Sequence, residues 1–143
     1  MDALHWLPDW QESPTDILRQ RVQQALIGDS WVIDGNYSKV RDIIWSRADT
    51  VVWLDYPFWL VFSRLLRRGI KRVVTKEELW GSGNRETWRT LFIGSDSMMW
   101  WVIKTYRKRK REYPILFAQA EYSHLEIIHL HSQKETDNWL ETL

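Results

Sequence analysis

The chain has 143 residues, enough for one domain, and a chain of this length typically buries roughly 70% of its unfolded surface. Its 20 basic and 19 acidic residues leave a net charge of +1, so no global field directs it to nucleic acid or to a membrane surface. Cysteine is absent, which excludes disulfides, thiolate metal sites and cysteine nucleophiles, while 11 tryptophans make the chain unusually aromatic.

The opening MDALHWLPDW has neither the basic region nor the continuous apolar run of a signal peptide. No apolar run reaches the roughly 20 residues of a membrane span. A cytoplasmic protein with no membrane partner is therefore expected. Asp2–Trp6 reads as the tail of a strand and its exit loop. Ser13-Pro14-Thr15-Asp16 is a helix start, with Ser13 as cap, Pro14 at the first helical position and Asp16 at the positive end of the dipole. Ile17, Leu18, Val22, Ala25 and Leu26 make its apolar face, and Gly28 ends it.

Trp31-Val32-Ile33 and Val51-Val52-Trp53-Leu54 are short β-rich runs, each closed by an aspartate, Asp34 and Asp55. They predict two buried parallel strands joined by a helix over Tyr37–Trp45. Ligands of open parallel sheets bind beyond the carboxyl ends of the strands, where both aspartates would sit. Pro57 opens a helix that carries Phe58, Val61, Phe62, Leu65 and Leu66 on one side and ends at Gly69. Residues 70–95 are polar and hold a capping box at Thr75–Glu78, the loop Gly81–Asn84 and a short helix over Arg85–Phe92. An excursion of this length and polarity reads as a lid. Ser95-Asp96 caps a further helix from Ser97 to about Arg111, which Pro114 interrupts. Leu125–Leu130 is the last strand, and the capping box Ser132–Glu135 introduces a final helix. The alternation predicts a single α/β domain, a three-layer sandwich around a parallel sheet.

Several side chains carry chemistry in this frame, each with a plainer reading beside it. Asp34 can hold magnesium beside a nucleotide phosphate or can cap the next helix. Asp55, before Tyr56-Pro57, is read as a cap or turn residue. Arg64, Arg67, Arg68, Lys71 and Arg72 crowd one helix end, either as a solvated basic face at the negative end of the dipole or as a phosphate clamp. Lys104 to Arg111, near Trp100, Trp101 and Tyr106, reads as the solvated end of an amphipathic helix or, less simply, as a nucleic-acid or anionic-lipid surface. His5, His124, His129 and His131 show no metal-ligand spacing, which argues against zinc. Ser13, Ser38 and Ser63 lack the surroundings of a nucleophile elbow.

The stretches DALHW, WVIDGNY, DTVVWLDYP and RLLRRG, the last leading into the polar excursion, together resemble P-loop small-molecule kinases over essentially the whole chain. They are most similar to the adenylate kinase-like branch described as DNA topology modulation proteins (FlaR-like). The resemblance implies a P-loop kinase-like parallel sheet with a helical lid at about 70–95. It implies transfer of the ATP γ-phosphoryl group, with Mg2+, to a small acceptor, a nucleotide. Asp34 then resembles the Walker B aspartate on the metal, and Asp2 the acidic residue facing the acceptor. Arg64 and Arg68 resemble the helix arginines that meet adenine and phosphates, Arg85 and Arg89 resemble lid arginines, and Arg41 matches a contact to the acceptor phosphate.

One departure stands against that list. The first strand, the G-x-x-x-x-G-K-[ST] loop and the first helix have no counterpart, because Gly81-Ser82-Gly83 is followed by Asn84-Arg85. The strand that the family places between those ending at Asp34 and Asp55 is missing too, roughly 30 residues in all. An N-terminally shortened kinase, weak or inactive in this form, is the expectation. A non-catalytic nucleic-acid binder using the 104–111 run and an inactive remnant are the alternatives.

Overall fold

A computed structural model describes residues 1–94 and 97–143. In chain order it has α1 (Asp2–His5), α2 (Thr15–Ala25), α3 (Arg41–Trp45), β1 (Thr50–Leu54), α4 (Phe58–Thr75), β2 (Glu78–Leu79), β3 (Asn84–Arg85), α5 (Trp88–Phe92), α6 (Met98–Phe117), β4 (Glu126–Leu130) and α7 (Gln133–Leu140). Single 3-10 turns lie at Pro8–Trp10, Ser38–Val40 and Ala120–Tyr122. The class is mixed α/β, with one parallel pair, β1 with β4, and one short antiparallel pair, β2 with β3, among the described residues. The expected cap at Ser95-Asp96 lies outside those residues.

The chain divides into two compact units. The first comprises Met1–Asp49 and Glu78–Arg85. Its core holds Leu18, Val22 and Leu26 of the predicted α2 face, all fully buried, together with Val40, Ile44, Trp45 and Leu79, whereas Ile17 and Ala25, expected on that face, are exposed. Arg19 on α2 forks onto both carboxylate oxygens of Asp42 on α3, at 2.9 and 2.7 Å, the bidentate geometry that suits a guanidinium. The β2–β3 hairpin is tied in by Asn84, whose side chain accepts from the Trp10 amide at 2.9 Å and donates to the Leu7 carbonyl at 2.8 Å.

Two expectations fail in this unit. Asp2–His5 is a single helical turn, not the tail of a strand. Trp31–Ile33 forms no strand: the segment has no ladder partner and Val32 is fully exposed. Three residues gain nothing from extended backbone without a neighbouring edge to bond, so apolar composition alone does not make the strand. The chain turns instead at Gly35, whose φ of +109° and close approach to Met1, 2.9 Å from a would-be Cβ, both require glycine.

The second unit comprises Thr50–Glu77 and Glu86–Leu143. The valine- and isoleucine-rich strands β1 and β4 run parallel, with Val52 opposite Ile128, Trp53 opposite His129 and Leu54 opposite Leu130. Alternation puts Val51, Trp53 and Asp55 on one face with Ile127, His129 and His131. On that face α6 supplies Tyr113 and Phe117, whose rings meet Trp53 at 5.3 and 5.8 Å.

Helix α4 passes through Gly69 and stops at Lys76, which takes a left-handed φ of 51°. Gly69 is therefore not a terminator. It is a buried interior position against which Leu91 of α5 packs. The Thr75–Glu78 capping box is likewise absent, since Thr75 closes α4 and its hydroxyl donates back to the Lys71 carbonyl. The box falls instead on Thr87 and Thr90, at the start of α5. Pro114 sits inside α6, near its end, where its missing N–H removes one helical bond without ending the helix. The Ser132–Glu135 cap forms as the sequence predicts, with Ser132 accepting from the Glu135 amide at 3.2 Å.

Candidate functional site

A group of ionisable side chains sits just past the carboxyl ends of β1 and β4. The Asp55 amide donates to the Leu130 carbonyl at 2.8 Å, which carries the ladder one residue beyond each strand. Asp55 and His131 thereby continue the face that already holds Trp53 and His129.

The Asp55 carboxylate is buried, and its Oδ2 lies 3.2 Å from His129 Nε2, 3.8 Å from His131 Nδ1 and 3.5 Å from Lys110 Nζ of α6. A buried carboxylate needs such partners, because taking an unpaired charge out of water is costly. His129 is stacked flat on the Trp53 ring, 3.9 Å away and inclined by 5°. The two imidazoles are 4.0 Å apart between centroids.

His131 is steadied from its main chain, whose amide donates to Glu135 Oε2 at 2.8 Å. That bond, with a further one from the Ser132 hydroxyl, holds the Glu135 carboxyl below the usual carboxylate range. Cations continue from here along α6, where Arg107, Lys110 and Arg111 line an open depression of about 350 Å³. On α4 the Arg64 guanidinium lies over the Tyr56 ring at 5.4 Å. Tyr56 is itself fixed, its hydroxyl bonded to Thr136 at 2.6 Å and its carbonyl accepting from the Tyr106 hydroxyl at 3.0 Å.

The residues singled out by sequence fall in both units. Asp2, Asp34, Arg41 and Arg85 belong to the first, and Arg64, Arg68 and Arg89 to the second. Asp2 accepts from the Tyr37 hydroxyl at 2.6 Å. Burial, reinforced by that carboxylate, raises the Tyr37 hydroxyl above the usual phenol range and keeps it protonated. His5 packs on the same ring at 4.6 Å, and burial lowers its pKa.

Asp34 is brought beside Asp2 through Met1, whose amine lies 3.3 Å from Asp34 Oδ1, but its side chain is fully exposed. Arg41 donates to Asn36 at 3.0 Å and lies over the Trp45 ring at 5.2 Å. Arg64 and Arg68 share the exposed side of α4, one turn apart, while Arg85 and Arg89 are exposed on β3 and α5.

Asp34 offers one exposed carboxylate, and the stretch Gly81-Ser82-Gly83 is followed by Asn84 and Arg85 and not by the lysine of a phosphate cradle.

Asp55, read from sequence as a cap or turn, caps nothing. The amide bonds at the start of α4 go to the Pro57 carbonyl, and Asp55 turns to the histidines. Sequence spacing argues against a histidine metal site, yet Asp55, His129 and His131 each offer a donor atom within 4.8 Å of the others. The legible signal was His-x-His at a strand end, since residues two apart share a face. Comparison of the chain with family models, curated proteins and solved structures gives no match.

Proposed function

We propose that this chain is a nucleotide kinase-like phosphotransferase domain that binds the phosphates of a small acceptor, a nucleotide. The finer fold assignment, a P-loop kinase-like sheet with a lid over about 70–95, belongs to the same proposal. The observation that carries it is the convergence of cations at the carboxyl ends of a parallel strand pair. Lys110 reaches Asp55 from α6, Arg107 and Arg111 flank it, and Arg64 lies over Tyr56 directly after β1. Guanidinium forks and a lysine at such an edge suit phosphoryl oxygens. The γ-phosphoryl donor role of ATP rests on the resemblance alone.

Calorimetric titration with a nucleoside monophosphate, and separately with ATP and magnesium, tests the reading. Binding of the monophosphate, weakened about tenfold in an R64Q/R68Q double variant, is the expected result, a loss typical of charge-assisted contacts. No binding at millimolar ligand, or binding indifferent to both arginines, would remove the proposal.

One observation favours a second reading. Trp100 and Trp101 are about half exposed beside Lys104, Lys108 and Arg111, and Arg109 lies 4.5 Å over the Trp101 ring. Aromatics interleaved with cations on one helix suit single-stranded nucleic acid. That reading requires oligonucleotide affinity that falls steeply with salt, and a flat response excludes it.

A further inference from the structure

We infer that Asp55, His129 and His131 form a binding site for a late first-row divalent metal ion of the zinc class, which shares the Asp55–Lys110 edge with the proposed phosphate site. The donor set is the first argument. Two imidazoles and one carboxylate are the ligands that zinc and its neighbours take, whereas magnesium prefers an all-oxygen shell with several waters.

Geometry is the second argument. A metal held about 2.1 Å from each of three donors in tetrahedral arrangement needs those donors about 3.4 Å apart. Here the Asp55 oxygen is already 3.2 and 3.8 Å from the two imidazole nitrogens. All three donor atoms lie within 4.8 Å of one another, so small ring rotations close the set.

The support around the donors is the third. A metal site is held in shape by what stands behind its ligands. The Trp53 ring sets the plane of His129, the Glu135 carboxylate anchors the main chain of His131, and the Asp55 main chain is bonded into the end of the ladder. The carboxylate is buried while both imidazoles are exposed, so an ion can enter from the histidine side and keep a fourth position open to solvent.

Lys110 is what the site must displace. Its ammonium stands 3.5 Å from the same Asp55 oxygen, with more than half of its side chain exposed. It balances the carboxylate when no ion is bound. A divalent ion would repel it, and the flexible stem allows it to swing into water. Lysine and metal therefore compete for one oxygen, which a mere cluster of ion pairs would not do.

The test is a Zn2+ titration of the full chain against a chromophoric chelator, with Co2+ absorption as an independent readout of imidazole ligation. One equivalent should bind at micromolar or lower free Zn2+. H129A and H131A should each weaken it by about tenfold or more, as loss of a ligand does at least as much as loss of a supporting group. K110M should tighten binding, and H124A should leave it unchanged. His131 is exposed, so H131A keeps the fold, and thermal unfolding of each variant verifies that point. No binding at micromolar Zn2+, binding unaltered in H131A, or binding weakened in K110M would overturn the assignment. Nucleotide titrations do not enter this experiment, so either proposal can fail alone.

Discussion

Gly69→Ala is the most exacting probe of how the helices of the second unit pack. A Cβ built at Gly69 would collide with Leu91 Cδ1 and lie 3.2 Å from Leu91 Cδ2 and 3.4 Å from Glu86 Oε2. Leu91 is 1% exposed and Glu86 is held by Arg72 at 3.0 Å, so neither neighbour has open space to move into. Replacing a mid-helix glycine by alanine ordinarily gains about 1 kcal/mol of helix propensity. Overpacking a filled site costs about 1–3 kcal/mol. A contact well inside van der Waals distance belongs at the upper end of that range, leaving a net loss of about 1–2 kcal/mol. At this chain length that corresponds to a fall in Tm of about 3–8 °C.

The partner variant isolates the cause. Leu91→Ala alone should cost about 2–5 kcal/mol by opening a cavity. In the double variant the new methyl occupies part of that cavity and its clash is gone. The two costs should therefore fall short of additivity by about 1–3 kcal/mol. Urea denaturation of the four proteins completes the cycle. A Gly69→Ala chain more stable than the parent, or strictly additive costs, would refute the close approach of α4 and α5.

Asn84→Ala should destabilise the first unit by about 2–3 kcal/mol, because a buried side chain gives up two bonds to the Leu7–Trp10 turn. That turn holds Asp9 and Trp10 at φ of 58° and 56°, a left-handed geometry unfavourable for non-glycine residues, which the bonds from Asn84 help to hold. Asn84→Asp retains the acceptor for Trp10 and should fall between, and equal melting of all three proteins would refute the role. Glu135 offers a pH test. Its folded pKa is lowered, so its contribution is complete above the unfolded value near 4.5 and is lost as pH falls through the lower folded value. Glu135→Gln should therefore flatten the acid limb of a Tm-versus-pH profile below about pH 5, and an unchanged limb would show the cap to be without effect.

What the sequence made legible was local. The α2 face of Leu18, Val22 and Leu26, the strand around Val51–Leu54, the last strand and the Ser132–Glu135 cap all follow from spacing, and all are found. The expectations that failed depended on neighbours. Trp31–Ile33 has the composition of a strand but no edge to join, and Gly69 resembles a helix stop until Leu91 is seen against it.

The candidate site divides the same way. That ligands gather at the carboxyl end of a parallel strand was readable, and Asp55 occupies that position. Its partnership with His129 and His131 was not, because it depends on which strand pairs with β1 and in what register. A one-residue slip would turn both histidines to the opposite face.

Interleaving of the two units also constrains how the protein is made. The first unit is completed by residues 78–85, which follow β1 and α4 of the second. On the ribosome, Asn84 emerges long after the Leu7–Trp10 turn that it fastens, so that turn must wait, unfastened, while the intervening segment is synthesised. Neither unit can be excised as a continuous fragment. A cut between Asp49 and Thr50 takes the hairpin from the first unit and leaves it on the other piece. Complementation by two co-expressed halves, split inside the exposed Gly81–Gly83 turn, would divide the hairpin itself, so reassembly would report directly on whether its two strands can find each other without a covalent link.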